Sequence, residues 1–314
     1  MKISFRRVAV CALVAAIQSS AVLAAEGPTF GGPVGGTDIR NAYLPSATGF
    51  YFGLVTGYGH SSQLYGGGGH PVNNVNVSTN NNIFAGGILY VYPFKLLGGT
   101  VATSLQTAYY SGRLTLGPTT NNVRGFGDLY SDLFSWSRYF GNSTNGLPVG
   151  LTAKVAYSMI FPTGAYNKLD LTSPGHNTTY YIPNFALTYL TGPNIFGDGT
   201  EFSAHVFMDI AGTNNATHYH NGPVFDVDWA ISERLARWQF GVTGFYANEM
   251  ADDEINSVKV PGGRRFAAMS MGPVVGFDIP EIKGSVKLKV LIPVYARNSV
   301  ANTLVYLGFT KAFK

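Results

Sequence analysis

Residues 147–161 read Leu-Pro-Val-Gly-Leu-Thr-Ala-Lys-Val-Ala-Tyr-Ser-Met-Ile-Phe. Leu147, Val149, Leu151, Ala153, Val155, Tyr157, Met159 and Phe161 occupy one parity, and Gly150, Thr152, Lys154, Ala156 and Ser158 the other. Strict alternation over this length describes a β-strand with one face in an apolar medium and one in a polar medium. Residues 284–292 repeat it, with Val286, Leu288, Val290 and Ile292 set against Ser285, Lys287 and Lys289. Two lysines on one strand face are costly inside a packed core, but a water-filled lumen accommodates them. The polar parity is therefore expected to face inward and the apolar parity to face lipid.

The same period, followed outward, marks twelve candidate strands near 49–59, 82–92, 99–111, 126–139, 147–161, 179–191, 200–211, 222–231, 236–247, 265–277, 283–292 and 302–313. Each covers the roughly 9–11 residues that a tilted strand needs to cross a bilayer, and an even count returns both termini to the periplasm. Odd-numbered connections are long (60–81, 112–125, 162–178, 212–221, 248–264 and 293–301) and even-numbered ones are shorter (93–98, 140–146, 192–199, 232–235 and 278–282). Long outer loops alternating with short periplasmic turns are the habit of an outer-membrane barrel. Aromatics gather near the strand ends: Tyr109 and Tyr110, Tyr139 and Phe140, Tyr180 and Tyr181, Phe277, Tyr295 and Phe313. They are expected to form two interfacial girdles, since each tyrosine ring has an apolar body and a polar tip. The last strand carries Val305, Leu307, Phe309 and Phe313 on one parity, interrupted by Lys311. It resembles the segment that barrel-assembly machinery reads.

The ends and the composition agree with an exported wall. Lys2, Arg6 and Arg7 precede a short apolar run, Val8 to Ile17, and Val22-Leu23-Ala24 supplies small residues for cleavage after Ala24 or one residue later. Residues 1–24 are read as a signal peptide. Cys11, the chain's one cysteine, lies inside that run, so no disulfide holds the mature protein. Of 21 Lys and Arg, three belong to the signal, leaving 18 against 17 acids, a net charge of +1. No basic block remains for nucleic acid. The chain is 46% hydrophobic yet only 12% charged, about half the usual charged share. No later stretch is long and apolar enough for a transmembrane helix. An all-β transmembrane antiparallel barrel of about twelve strands over residues 49–314 fits best. Residues 25–48, rich in Gly and Pro, are either a flexible periplasmic lead-in or a plug folded into the lumen.

Several local motifs follow one another in order: Gly125-Phe126-Gly127-Asp128-Leu129 with Trp136, Pro162-Thr163-Gly164-Ala165-Tyr166, and Asn215-Ala216-Thr217-His218-Tyr219 with Gly222. Asp252-Asp253, Gly272-Pro273 and Arg297-Asn298 come after them. Together they resemble the family of outer-membrane proteins associated with the meta-pathway of phenol degradation, over nearly all of the mature chain. Asp132 stands where that family usually has a proline. The resemblance implies a channel for passive uptake of small hydrophobic or aromatic compounds.

Candidate lumen residues follow from parity alone. They are Asp128, Asp132 and Arg138 on the fourth strand, Lys154 on the fifth, and Glu201, His205 and Asp209 on the seventh. Asp226 and Asp228 on the eighth and Lys287 and Lys289 on the eleventh complete the set. Acids and bases on different strands would set a transverse field that sorts solutes, or would form an inward salt-bridge network that fills a narrow barrel. His218-Tyr219-His220 lacks a third ligand nearby in sequence, so no metal site is assigned. The outer-membrane phospholipase motif runs His-x-Ser-Asn-Gly, but residues 218–222 read His-Tyr-His-Asn-Gly, with His220 where the nucleophile belongs. No catalytic residue, cofactor or metal is therefore expected. The partners expected are outer-membrane lipid, the assembly machinery and a small solute, with oligomeric state open. The alternative is a non-conducting structural or adhesin-like barrel.

Overall fold

A computed structural model describes residues 32–144 and 147–313 of the chain. The signal peptide read over residues 1–24 lies outside them. The wall is built from β1 Gly49–Ser61, β2 Val77–Leu96, β3 Gly99–Leu116, and β4 in two pieces, Thr119–Phe126 and Leu129–Thr144. It continues with β5 Leu147–Phe161, β6 Tyr180–Leu190, β7 Gly199–Ala211 and β8 Val224–Leu235. The last four are β9 Trp238–Glu249, β10 Ala267–Ile279, β11 Gly284–Arg297 and β12 Thr303–Ala312. Each strand pairs antiparallel with the next, and both pieces of β4 pair with β3. β12 returns to β1 through ten residue pairs, from Tyr51↔Ala312 to His60↔Thr303. The ring is closed. Closure leaves no unpaired strand edge in hydrocarbon, where each bare N–H or C=O costs several kcal/mol.

The parity argument holds in the wall. Along β6, Tyr180, Ile182, Asn184, Ala186, Thr188 and Leu190 are buried, while Tyr181, Pro183, Phe185, Leu187 and Tyr189 are exposed. On β5, Leu151, Val155 and Tyr157 are exposed and Thr152, Lys154 and Ser158 are buried. The exposed residues are the apolar ones, which is the inverse of a water-soluble sheet. The barrel therefore presents its greasy face to lipid. The turns 97–98, 191–198, 236–237 and 280–283 share the end at which β1 begins and β12 ends, and the longest connections, 62–76, 162–179, 212–223 and 250–266, lie at the other end.

Three expectations need correction. The connection 112–125 is not a loop, because β3 and β4 run on to Leu116 and Thr119 around a two-residue turn. β2 likewise begins at Val77, before the expected 82. This three-stranded extension stands clear of the bilayer with water on its outer side, so its Asn- and Thr-rich sequence carries no apolar stripe to betray it. A second departure lies in β4, where the register slips between Asp132 and Phe134 opposite Ser158 and Tyr157. Leu133 is the extra residue of a β-bulge, and every side chain beyond it changes face. Third, neighbouring aromatics cannot share a face: Tyr181 is exposed, but Tyr180 is buried against Ile160, Ile182 and Phe207. Tyr110 also points inward, paired with Ile83 rather than with the outward Phe84. The girdles consist of the outward member of each pair, together with rings such as Phe50 and Tyr90, whose centroids lie 4.7 Å apart.

Candidate functional site: the lumen and its inner segment

Residues 33–42 run along the inward face of the wall, held by side chains from seven strands. Asp228 on β8 accepts hydrogen bonds from Gly35 N and Thr37 N, both at 2.7 Å, and from Thr37 Oγ1 at 2.8 Å. Glu201 on β7 accepts from Arg40 N at 2.7 Å and from Arg234 Nη2 at 3.1 Å. The Arg40 guanidinium donates through Nε to Gln239 on β9 and through both Nη atoms to Asp278 on β10, at 2.6 and 3.0 Å. Ala42 N donates to Thr188 on β6 and Ala42 O accepts from Ser137 on β4. On the opposite side Lys287 and Lys289 of β11 reach Asp38 at 2.5 and 3.1 Å, and Lys289 also donates to Gly35 O. Burial pushes Asp38 upward, but the two ammonium groups outweigh it and hold its carboxyl below the usual range.

The inward residues thus divide by what they touch. Glu201, Asp228, Lys287 and Lys289 hold the inner segment. Asp132, Lys154 and His205 belong to a lateral network: Lys154 Nζ lies 3.8 Å from Asp132, Ser158 donates to Asp132, Asn184 to Ser158, and His205 Nε2 meets Asn184 Oδ1 at 2.9 Å. Asp209 and Asp226 are fully buried on adjacent strands, and neither carboxylate oxygen of Asp226 has a side-chain hydrogen-bond partner among the described residues. Gly32 passes so close to Asp209 that a Cβ there would fall 1.8 Å from its Oδ2, so only glycine fits. Asp38, Arg40 and Asp278 were missed from the sequence. Their one signal was that Asp38 and Arg40 are the only charged residues between Pro28 and Thr48.

Two proposed lumen residues lie elsewhere. Beyond the bulge Arg138 is on the outward face, exposed near the short turn, where it donates to Leu97 O at 2.9 Å and covers the Phe140 ring. Asp128 sits in the break of β4 and ties down loop 162–179. It accepts from Gly164 N at 2.9 Å, His176 N at 2.7 Å and His176 Nδ1 at 3.0 Å. The Gly-x-Gly-Asp and Pro-Thr-Gly motifs therefore meet in space: a Cβ on Gly164 would lie 2.7 Å from the Gly127 carbonyl carbon. Further along, Tyr219 Oη and Gly222 N both donate to Asp253. These motifs brace the outer loops.

Burial raises Asp128, but the contacts with His176, and with the backbone at His176 and Gly164, prevail and hold it below the usual carboxylate range. Its folded pKa is depressed, so the brace is complete above the ordinary carboxylate pKa and is lost as pH falls through the lower folded value. Asp128→Ala is expected to expose loop 162–179 to added protease at neutral pH. The unsubstituted loop should resist cleavage until the medium is more acidic than about pH 4. Equal cleavage of the two proteins at pH 7 would contradict the assignment.

The inner segment fills only part of the lumen. On β1 both Leu54 (46% exposed) and Val55 (38%) are open, although consecutive residues face opposite sides. Leu54 is open to lipid, so Val55 must be open to the interior. Two adjoining cavities of about 550 and 500 Å³ lie there, sharing Pro45, Gly53, Val55, Asp278, Ser285 and Thr310. A Cβ on Gly53 would meet nothing closer than 3.9 Å, and one on Gly308 nothing closer than 3.8 Å. These glycines leave room. By contrast Gly57 receives the Tyr306 ring, 2.5 Å from its would-be Cβ, so the wall closes toward the long-loop end.

A closed twelve-stranded wall, apolar outside and polar within, defines an outer-membrane β-barrel, and the bacterial outer membrane is its location. The chain belongs to the family described as "Putative MetA-pathway of phenol degradation", whose model matches residues 61–309. In fold it is similar to an outer membrane channel from Pseudomonas putida F1, 11% identical, with a TM-score of 0.70 over 88% of this chain and 100% of that one. Looser likenesses include the β domain of the Bordetella autotransporter BrkA (10% identity, TM-score 0.48, 85% and 100% covered). The transport unit of the autotransporter AIDA-I from Escherichia coli is another (12%, 0.46, 95% and 98%). No curated protein matches the chain in sequence.

Proposed function

We propose that the protein is a passive outer-membrane channel for small, uncharged, hydrophobic or aromatic compounds, with residues 32–48 acting as a plug that narrows it. The observation that carries this reading is the uneven lumen. The half lined by β6 to β11 is occupied by the plug, and the half lined by β1, β2 and β12 is left open beside Gly53, Val55, Ala85 and Gly308. Most of the inward charges are engaged by the plug or by one another, so a solute passing along β1 meets small and apolar side chains first. Such a lining favours compounds that shed water cheaply. The family description supports an aromatic cargo, and the fold of the Pseudomonas channel supports conduction. No residue of this chain is given a part in chemistry: the path needs a gradient and a shape.

Uptake of a labelled monocyclic aromatic compound and a labelled sugar, by cells with and without the protein, tests the reading. The proposal expects the aromatic to enter faster when the protein is present, with little change for the sugar. Equal entry of the aromatic in both strains overturns the transport function and favours a structural barrel.

A further inference from the structure

The outward face of the β2–β3–β4 extension carries a charge pattern that the proposed transport does not use. Facing residues of antiparallel strands place their side chains on the same side, so the register gives the rows directly. The lowest row, Phe84, Tyr109 and Phe126, is aromatic and outward, with Phe84 and Phe126 more than half exposed. It marks the outer interface of the bilayer. The next row sets Asn82 beside Ser111 and Arg124, and the row above sets His60 beside Asn80, Arg113 and Asn122. Both arginines are exposed. Among the described residues their only hydrogen bonds are through Nε to neutral acceptors, Arg124 to Tyr109 Oη at 3.0 Å and Arg113 to Asn122 Oδ1 at 3.3 Å. The forked Nη ends meet no partner among the described residues. No Asp or Glu occurs anywhere between Asp38 and Asp128, so this whole quarter of the wall has no carboxylate to neutralise them. Loop 162–179 does not cover the patch, for its Thr172 N bonds Asn121 Oδ1, which belongs to the opposite face.

We infer that this patch binds the phosphate groups of a phosphorylated glycolipid of the outer leaflet. Two guanidinium forks with neutral amide and hydroxyl neighbours suit phosphate oxygens and sugar hydroxyls. The height is also right: the cations stand one and two residue rows above the aromatic girdle, where headgroups begin. Below them the exposed Leu54, Phe84 and Ile88 offer a wall for acyl chains. A free anion would gain nothing from that wall, whereas an anchored phosphate is delivered to the arginines by its own chains.

Native mass spectrometry of the full mature protein, folded in neutral detergent, tests this with bis-phosphorylated lipid A, the same lipid dephosphorylated, and inorganic phosphate as competitor. Wild-type protein is expected to retain the phosphorylated lipid about tenfold more strongly than the dephosphorylated one. The double variant Arg113→Gln/Arg124→Gln should lose that preference, while Lys259→Gln, on another outer loop, keeps it. Both arginines lie outside the membrane, so the barrel should still form, and its heat-modifiable migration on gels checks that. Equal retention of phosphorylated lipid by wild type and the double variant overturns the site. So does an absence of preference in wild type. Complete displacement by inorganic phosphate at equimolar concentration also rejects a lipid site, in favour of a free-anion one.

Discussion

Deleting residues 32–44 is expected to raise single-channel conductance about threefold or more, because current through a narrow path scales with its open cross-section. The deletion removes no wall strand, since β1 begins at Gly49. It removes the backbone that Asp228, Glu201 and Thr188 now hold, and with it the obstruction across the β6 to β11 half of the lumen. Planar-bilayer recording of the two proteins side by side makes the measurement. Unchanged conductance would mean that the segment does not narrow the path, and the plug role would be withdrawn.

The second large effect is expected at Asp38. Its carboxylate is fully buried between Lys287 and Lys289, and the Lys289 side chain is itself only 6% exposed. Removing one partner of a buried ion pair leaves an uncompensated charge and costs about 3–5 kcal/mol. Asp38→Asn keeps the shape but withdraws the charge from two lysines at once. The plug should then undock part of the time. Current traces are expected to flicker between the wild-type level and the level of the deletion, whereas Arg138→Gln, outside the lumen, should leave the trace unchanged. A quiet Asp38→Asn trace at the wild-type level would show that the remaining contacts hold the segment unaided.

What could be read from the sequence follows the physics of each element. β5 and β11 were plain because lipid lies on one side and a hydrogen-bonded polar interior on the other, so each residue reports its face. The pairing of Gly127-Asp128 with Gly164 was half legible: the motifs stood out, but their meeting in space depends on the closure of loop 162–179. The bulge at Leu133 left no mark, since one extra residue changes no composition, and it turned Arg138 from lumen to lipid side. The plug contacts could not be foreseen either. Asp38 and Lys287 are 249 residues apart, and only the closed ring brings them together. Gly53 and Gly308 read as ordinary strand glycines until the space opposite them is known.

The path beside β1 admits a direct test, because Cys11 is the one cysteine of the sequence and a polypeptide begun after the expected cleavage at Ala24 carries none to interfere. Single cysteines at Val55 and Leu54, treated with a charged, water-soluble thiosulfonate during bilayer recording, sample the two sides of one strand. Modification of Val55→Cys should cut the current sharply and irreversibly, and Leu54→Cys should show no change. No effect at position 55, or equal effects at both, would contradict an open lumen along β1.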